Sequence, residues 1–400
     1  MSEQQHTKPL AGLKVVELGT LIAGPFATRL MAEFGAEVIK IESPDGGDPL
    51  RQWRMMHEGT SLWWYLQARN KKSITVNLKH PDGLDIVRRL LRDADILVEN
   101  FRPGVLEKLG LSWEALSAEN PRLVMVRLSG YGQTGPYKDK PGFGAIGEAM
   151  GGMRFITGFP DRPPVKLGIS IGDSIAALYA VIGSLMALRH REKLGKGQVV
   201  DVALYEAVFS MMESLVPEFD VTGYVRERNG NIMPGITPSN TYTARDGKPL
   251  IIGANGDAIF KRLMVAMKRP DLASDPQLAD NVGRSARADE IYAAIGDWVA
   301  AHDFDYVINA CEIAEVPATK IFSIADIVED PQYLARGMIE SALLPSGQAF
   351  KLPGIVPKMS DTPGSTEWVG PALGQHTDQV LDTLGFSSVE IKQMKENGAI

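Results

Sequence analysis

Several features that would place this chain in a common functional class are missing from its sequence. It has a single cysteine, Cys311, so no internal disulfide can form, which favours a reducing compartment such as the cytoplasm. Met1–Pro9 is polar and lacks the apolar segment of a secretory signal. The most apolar run, Ile175–Leu188, is shorter than the ~20 residues that span a bilayer, so it predicts a buried helix and no membrane partner.

The signatures of metal, hydrolase and dinucleotide sites are also missing. None of the six histidines stands four residues from another and there is no CxxC pair, so no metal site is predicted. No G-x-S-x-G sequence is present. Gly19–Gly24 lacks the middle glycine that lets backbone approach a pyrophosphate, which argues against NAD although Glu42 has suitable spacing. The net charge of −7 argues against a nucleic-acid partner.

What the sequence does contain is an alternation of short apolar runs and helical patterns, which predicts an α/β fold with a parallel sheet. The predicted strands are Leu13–Leu18, Val38–Ile41, Ile74–Leu78, Ile96–Val98, Leu123–Leu128, Val165–Ile171 and Val199–Leu204. The predicted helices between them are Pro25–Phe34, Asp82–Leu91, Leu106–Leu116 and one from Asp173 to about Arg189.

The pattern changes after about Pro217, which suggests a second domain. We predict a large domain from 1–217, completed by 331–400, and a linker with a small α+β domain from 218–330. The helix Thr377–Leu384 in the tail is expected to pack back on the large domain.

Asp173 stands at the start of the most apolar helix, between Gly172 and Ser174. Position alone favours a helix N-cap, because aspartate is a preferred residue there. A carboxylate at a helix N-terminus between small neighbours is also suited to attack an acyl centre and hold a covalent intermediate. The two roles are compatible, and position does not decide between them.

Four basic residues lie in predicted loops or near strand ends: Arg102, Lys108, Lys138 and Lys140. A solvated surface position is the default for each of them. Together they could meet the phosphates of an anionic cofactor.

Seven motifs in order along the chain resemble those of the class III CoA-transferases, the family of formyl-CoA:oxalate, carnitine and succinate–hydroxymethylglutarate CoA-transferases. They are Leu10–Leu18 with Ala23–Pro25, Gly35–Glu42, Asn70–Ile74, Val98–Gly104, Gly130–Pro136, Gly195–Val202 and Leu373–Thr377.

This resemblance implies a Rossmann-like large domain that takes both chain termini, and two ring-like subunits interlocked as a homodimer. It implies an enzyme of acyl-CoA metabolism in which Asp173 carries the covalent intermediate. Coenzyme A is then a co-substrate, and no tightly bound cofactor is expected. The residues implied to bind CoA are Thr20, Ala23, Gly24, Pro25, Asn100, Phe101, Lys108 and Lys140.

Departures from the family pattern narrow the expected chemistry. Phe143 takes the place of the histidine that related 2-methylacyl-CoA racemases use, and phenylalanine cannot supply their second acid/base group. Thr20, Ile22 and Phe143-Gly144 differ from the oxalate enzyme, and no tetraglycine run is present.

The closer similarity is to the succinate–hydroxymethylglutarate branch, which implies a dicarboxylate acceptor with succinyl-CoA as donor. Arg29, Arg154 and Lys166 could bind a distal carboxylate, and Phe143 is expected at the substrate. The alternatives are a racemase-like enzyme and a CoA-binding regulatory protein without turnover.

Overall fold

The structure, a computed structural model, describes residues 8–400. The expectation for Met1–Pro9 therefore lies almost wholly outside the described residues. Contacts divide the chain into a larger unit, formed by the part up to Met153 with Lys166–Thr222 and Arg336–Ile400, and a smaller unit, formed by Arg154–Val165 and Gly223–Ala335. The segment Arg154–Val165 thus clusters with the smaller unit, which the sequence pattern did not predict.

The larger unit begins with strands that alternate with helices. Its strands are β1 (Lys14–Glu17), β2 (Glu37–Glu42), β3 (Met56–His57), β4 (Thr60–Ser61), β5 (Lys71–Thr75), β6 (Ile96–Glu99), β7 (Val124–Ser129) and β8 (Val199–Ala203). Its helices are α1 (Ala23–Glu33), α2 (Leu62–Gln67), α3 (Pro81–Arg92), α4 (Val105–Lys108), α5 (Trp113–Glu119), α6 (Gly144–Met150), α7 (Ile171–Leu194), α8 (Leu204–Phe209) and α9 (Leu215–Thr222).

Six of these strands form one parallel sheet in the order β5-β2-β1-β6-β7-β8. The chain winds outward from β1 to one edge and then from β6 to the other. The order therefore reverses between β1 and β6, and the crevice beyond their carboxyl ends is where open α/β sheets bind ligands.

Alternating side chains of the strands point into two separate cores, one on each face of the sheet. Val15 joins a core with α1 and α7, whereas its neighbour Val16 joins the other core with α3 and α5. The predicted α/β class with a parallel sheet is confirmed.

The smaller unit holds a three-stranded antiparallel sheet covered by helices, in the order β11-β10-β9. Its strands are β9 (Ser239–Thr243), β10 (Pro249–Gly253) and β11 (Ala318–Lys320). Its helices are α10 (Asp257–Ala266), α11 (Pro270–Ala273), α12 (Asn281–Ala286), α13 (Ala288–Ala300), α14 (Phe304–Ile313), α15 (Ile324–Ile327) and α16 (Pro331–Ala335).

The tail returns to the larger unit through a hairpin, β12 (Ile339–Leu343) and β13 (Ala349–Pro353), and two helices, α17 (Thr377–Thr383) and α18 (Ser388–Glu396). Leu381 and Met394 from these helices are buried in the core that contains Val16.

Three local predictions were wrong. The predicted strand Val165–Ile171 is absent, because Val165–Ser170 pairs with no strand in the described chain and Ile171 is the first residue of α7. The predicted helix Leu106–Leu116 is two short helices, α4 and α5. The helix predicted from Asp173 begins two residues earlier, and Ser170 holds the N-cap position.

Among the described helices, only α7 is long and apolar enough to cross a membrane by length and composition. It leads into β8 and packs against the sheet through small residues such as Ala176 and Ala180, as a core helix does. Its opposite side is exposed in the single chain, including Leu178 and Ile182. The prediction of a buried helix thus holds for one face only.

Candidate active site

A cavity of about 530 Å³ opens at the carboxyl ends of β1, β6 and β7, where the strand order reverses. Its walls come from the loops after these three strands and from the first turns of α6 and α7. The lining residues are Thr20–Ala23, Trp53, Asn100–Pro103, Leu128–Gly130, Lys138, Lys140, Gly142–Ala145, Glu148, Lys166, Ser170, Asp173 and Leu204.

The loop after β1 is fixed by hydrogen bonds from two neighbouring segments. The Thr20 amide donates to Asn100 Oδ1 at 2.8 Å, and Asn100 Nδ2 donates back to the Thr20 carbonyl at 2.8 Å. Leu21 has a left-handed backbone with φ of 64°, and its amide donates to Asp48 Oδ1 at 3.0 Å. This strained conformation persists because its surroundings hold it from both sides.

A buried ion network lies directly beneath this loop. Lys40 Nζ contacts Glu17 Oε1 at 2.7 Å and Asp48 Oδ2 at 2.8 Å, and it donates to the Gly19 carbonyl at 2.8 Å. Lys71 Nζ contacts Glu17 Oε2 at 2.8 Å. Burial favours the neutral form of Glu17, but the two lysines outweigh it and lower its pKa to about 2. These charges are buried, so water does not screen them. They therefore join the strands β1, β2 and β5 firmly to the loop that forms the cavity wall.

A second loop, between β7 and α6, brings basic side chains to the cavity. Its ends meet at two glycines: a methyl group on Gly130 would lie 2.7 Å from the Gly142 Cα atom, so only hydrogen fits there. Lys138 and Lys140 lie near the tip of this loop, and Lys140 Nζ stands 3.5 Å above the centre of the Tyr137 ring.

Asp173 lies in the first turn of α7 and faces this cavity. The predicted N-cap role is wrong, because Ser170 occupies that position. Its carboxylate packs on the bare Cα of Gly144, where a methyl group would lie 2.7 Å from Asp173 Cγ. The absence of a side chain at Gly144 therefore lets α6 lie directly against the carboxylate.

The ionisation of Asp173 reflects opposing influences. Burial raises its pKa most, the neighbouring Glu148 carboxylate raises it further, and Lys166 opposes both, with a net rise to about 6. A backbone hydrogen bond also lowers the pKa of Asp173, but burial outweighs it. At pH 7 the ionised form still dominates by roughly ten to one.

The structure brings together ten of the residues that the sequence suggested for the site. They are Asp173, Thr20, Ala23, Asn100, Phe101, Arg102, Lys138, Lys140, Phe143 and Lys166. Gly24 and Pro25 do not line the cavity. Gly24 packs behind the loop against Gly19, and the Pro25 carbonyl accepts a hydrogen bond from Lys71. Their contribution to binding stays a prediction.

Three predicted basic residues are not at this cavity in the single chain. Lys108 lies on the exposed end of α4. Arg29 is mostly buried, with Nε 3.0 Å from Glu33 Oε1 and its guanidinium 4.4 Å from the centre of the Phe26 ring. Burial lowers the pKa of Arg29 to about 10. Arg154 belongs to the smaller unit, so its role in substrate binding stays a prediction.

Sequence reasoning missed Glu148 and the structural roles of Gly144 and Gly172. Glu148 is only 1% exposed, although a glutamate in a short glycine- and alanine-rich helix gives no sign of burial. The one signal in the sequence was the spacing of Gly144, Gly147 and Gly151, which marks a helix face that packs closely on a neighbour.

The described residues form no metal site, and a cavity in the smaller unit has no carboxylate in its lining. Residues 8–400 contain no group of three or more histidine, cysteine or acidic residues placed to hold a metal ion. The smaller unit has a larger cavity of about 770 Å³ between α10 and α14, but its lining includes Val265, Ile313 and Tyr306 and no carboxylate.

Comparison with known proteins points to one family. The model of CoA-transferase family III matches residues 10–377. The chain is 48% identical over 402 residues to the succinyl-CoA–D-citramalate CoA-transferase of Chloroflexus aurantiacus, covering all of both chains. It is 36% identical over 394 residues to the succinate–glutarate CoA-transferase of Agrobacterium fabrum, covering 96% of this chain and 98% of the other. A solved CAIB/BAIF family protein from Brucella suis superimposes with a TM-score of 0.83 at 34% identity, covering 94% of this chain and all of that one.

Proposed function

The chain belongs to CoA-transferase family III, and on that premise we propose that it moves CoA from succinyl-CoA to a dicarboxylic acid through a covalent intermediate on Asp173. Two similar enzymes are named for succinate or succinyl-CoA together with D-citramalate or glutarate, which are dicarboxylates. The observation that carries the proposal is the position of Asp173, a largely ionised carboxylate beside a bare glycine in the wall of the switch-point cavity.

The proposed reaction has four covalent steps. An Asp173 oxygen attacks the thioester carbon of the donor and expels CoA thiolate, which leaves a mixed anhydride. The thiolate attacks Asp173 Cγ, releases the donor acid and forms an aspartyl-CoA thioester. An oxygen of the acceptor carboxylate then attacks Cγ and expels the thiolate. Finally the thiolate attacks the acceptor carbonyl, which completes the new thioester and regenerates the Asp173 carboxylate.

The arrangement of the cavity supports a path for CoA. Thr20, Ala23, Asn100 and Phe101 form the wall at the switch point of the Rossmann-like sheet, where such folds bind nucleotides. A second cavity of about 220 Å³ lies at the carboxyl ends of β2 and β5 and shares Thr20 and Phe101 with the first. We place the nucleotide end of CoA there. Lys138 and Lys140 are then available for the phosphates.

Two residues near Asp173 support the choice of acceptor. Lys166 lines the cavity and acts electrostatically on Asp173, so it can attract the distal carboxylate of a dicarboxylic acid. Phe143 also lines the cavity and carries no titratable group, which favours CoA transfer over racemisation.

We also propose an interlocked homodimer, which the motif resemblance implies. The outer face of α7 exposes Leu178, Ile182, Leu185 and Met186, the last 68% exposed, and α9, described in full, has no buried residue. Such contiguous apolar surface marks an interface in soluble enzymes. Tagged and untagged subunits mixed after folding should exchange only when unfolded; free exchange would refute interlocking.

A cytoplasmic location stays a prediction from the single cysteine.

A screen of acceptor acids with succinyl-CoA tests the transferase proposal. We expect transfer to acids of four to six carbons with two carboxylates, and its loss in Asp173→Asn. Asp93→Asn, at the exposed end of α3, is the matched control and should behave as wild type. Transfer that survives in Asp173→Asn, or α-proton exchange without transfer, would overturn the proposal.

A further inference from the structure

Glu148 is a second carboxylate at the site, and the helix packing shows why it comes so close to Asp173. A methyl group on Gly172 would lie 3.2 Å from Glu148 Cγ and 2.9 Å from the Gly144 carbonyl oxygen. A methyl group on Gly144 would lie 2.7 Å from Asp173 Cγ. Glu148 of α6 thus lies against Gly172 of α7, and Asp173 of α7 lies against Gly144 of α6. Because neither glycine has a side chain, the two helices can bring both carboxylates to one cavity.

Glu148 is a buried carboxylate close to the nucleophile. Glu148 is 1% exposed yet lines the same cavity as Asp173. A buried carboxylate is unfavourable unless its charge is used or compensated, and a glutamine would have the same shape without that charge. Glutamine at this position therefore separates the effect of the charge from the effect of the side chain's shape.

The charged groups around Asp173 come from four segments. Glu148 faces it from α6, Lys166 from the segment before α7, and Arg102, Lys138 and Lys140 lie on the cavity walls. Glu148 is the one acidic neighbour that acts on Asp173 among the described residues lining the cavity, and Lys166 acts in the opposite direction.

We propose that Glu148 is a positioning residue that favours acylation of Asp173, because its negative charge destabilises the ionised carboxylate and this repulsion ends when Asp173 becomes an uncharged acyl derivative. The inference rests on the proposed function, since it requires Asp173 to be the acylated group. When the Asp173 oxygen bonds to the acyl carbon, the C–S bond breaks and the negative charge leaves on the CoA sulfur. No proton is transferred, and Glu148 stays unchanged throughout.

The proposal makes two linked quantities change together. Without the Glu148 charge, ionised Asp173 is more stable, so the acidic limb of kcat/KM for succinyl-CoA moves to lower pH. The same stabilisation makes acylation less favourable, so less enzyme carries the aspartyl-CoA thioester at fixed succinyl-CoA and succinate. If the limb moves by one pH unit, the equilibrium constant for acylation should fall about tenfold.

Glu148→Gln tests this, with the thioester measured by intact-protein mass spectrometry and the limb by pH-rate profiles. We expect both changes in the stated directions and by matching factors, and Glu148→Asp should restore part of each. An unmoved limb with a uniformly lower rate would show a structural role only and overturn the inference. Glu148→Met, uncharged and similar in size, replaces the glutamine variant if that protein does not fold.

A wild-type control separates this inference from the proposed function. If wild-type enzyme forms no adduct on Asp173 with succinyl-CoA, the proposed function fails. If wild type forms the adduct and Glu148→Gln changes neither its amount nor the acidic limb, only the role of Glu148 is refuted.

Discussion

Replacement of Gly144 by alanine should misplace the nucleophile without removing it. The added methyl group would lie 2.7 Å from Asp173 Cγ. Carbon atoms in contact stand about 3.5 Å apart or more, so the Cγ contact alone requires the carboxyl group to move by roughly 0.8 Å. Asp173 Oδ2 lies still nearer to the added methyl group and requires a larger movement. A displacement of about 1 Å in a reacting group can reduce a rate roughly 100-fold. We therefore expect kcat to fall by about one to two orders of magnitude.

The effect on stability can be separated from the effect on rate. Gly144 has no left-handed backbone, so alanine is not excluded there by conformation. Alanine alone would stabilise a helical position by about 0.5–1 kcal/mol, whereas overpacking against Asp173 costs about 1–3 kcal/mol. In a protein that already carries Asp173→Ala, the clash is absent, so Gly144→Ala should then be neutral or stabilising in thermal unfolding.

Gly168→Ala is the matched control, because nothing lies within 4 Å of the added methyl group and the residue precedes α7, the helix that carries Asp173. Its kcat and melting temperature should match those of wild type. A Gly144→Ala enzyme with wild-type kcat for CoA transfer would refute the inferred contact between α6 and the nucleophile.

Three further predictions follow from the same geometry. Because the pKa of Asp173 is raised to about 6, kcat/KM for succinyl-CoA should fall tenfold per pH unit below about 6, as Asp173 protonates, and level off above it; a flat profile from about pH 5 to pH 8 would contradict this. Lys40→Met should reduce the free energy of unfolding in urea by about 3–5 kcal/mol, because Glu17 stays buried with one fewer positive charge beside it. Lys72→Met removes a partly exposed ion pair and should reduce the same free energy by under about 1 kcal/mol. Lys166→Met should raise KM for dicarboxylic acceptors roughly tenfold, about 1.4 kcal/mol, and leave KM for monocarboxylic acceptors of equal length nearly unchanged; equal effects on both would refute its proposed role.

The sheet was predictable because its signals are local. Val-rich runs, the glycine at the end of α1 and the short connections all lie within a few residues of the elements they define. β5 was placed three residues too late, because Lys71 is buried and charged, and a propensity pattern does not favour a buried lysine. Its ion pair with Glu17 joins residues far apart in the chain.

The candidate site was predictable in part for the same reason. Thr20 and Asn100 each follow a predicted strand, and the strand order brings them together. Glu148 was missed because its burial depends on the close approach of α6 to α7, which no local pattern in the sequence indicates. Arg29 does not line the cavity because Glu33 and the Phe26 ring, on the same surface of α1, contact its guanidinium and bury it. Its role in substrate binding stays a prediction.

The central claim, a covalent intermediate on Asp173, is tested most directly by trapping it. The enzyme is incubated with succinyl-CoA, treated with hydroxylamine, digested and analysed by mass spectrometry. A hydroxamate at Asp173 that appears only with the donor, and is absent from Asp173→Asn, is the predicted result. Rapid CoA transfer with Asp173 unmodified at every time point would contradict the account.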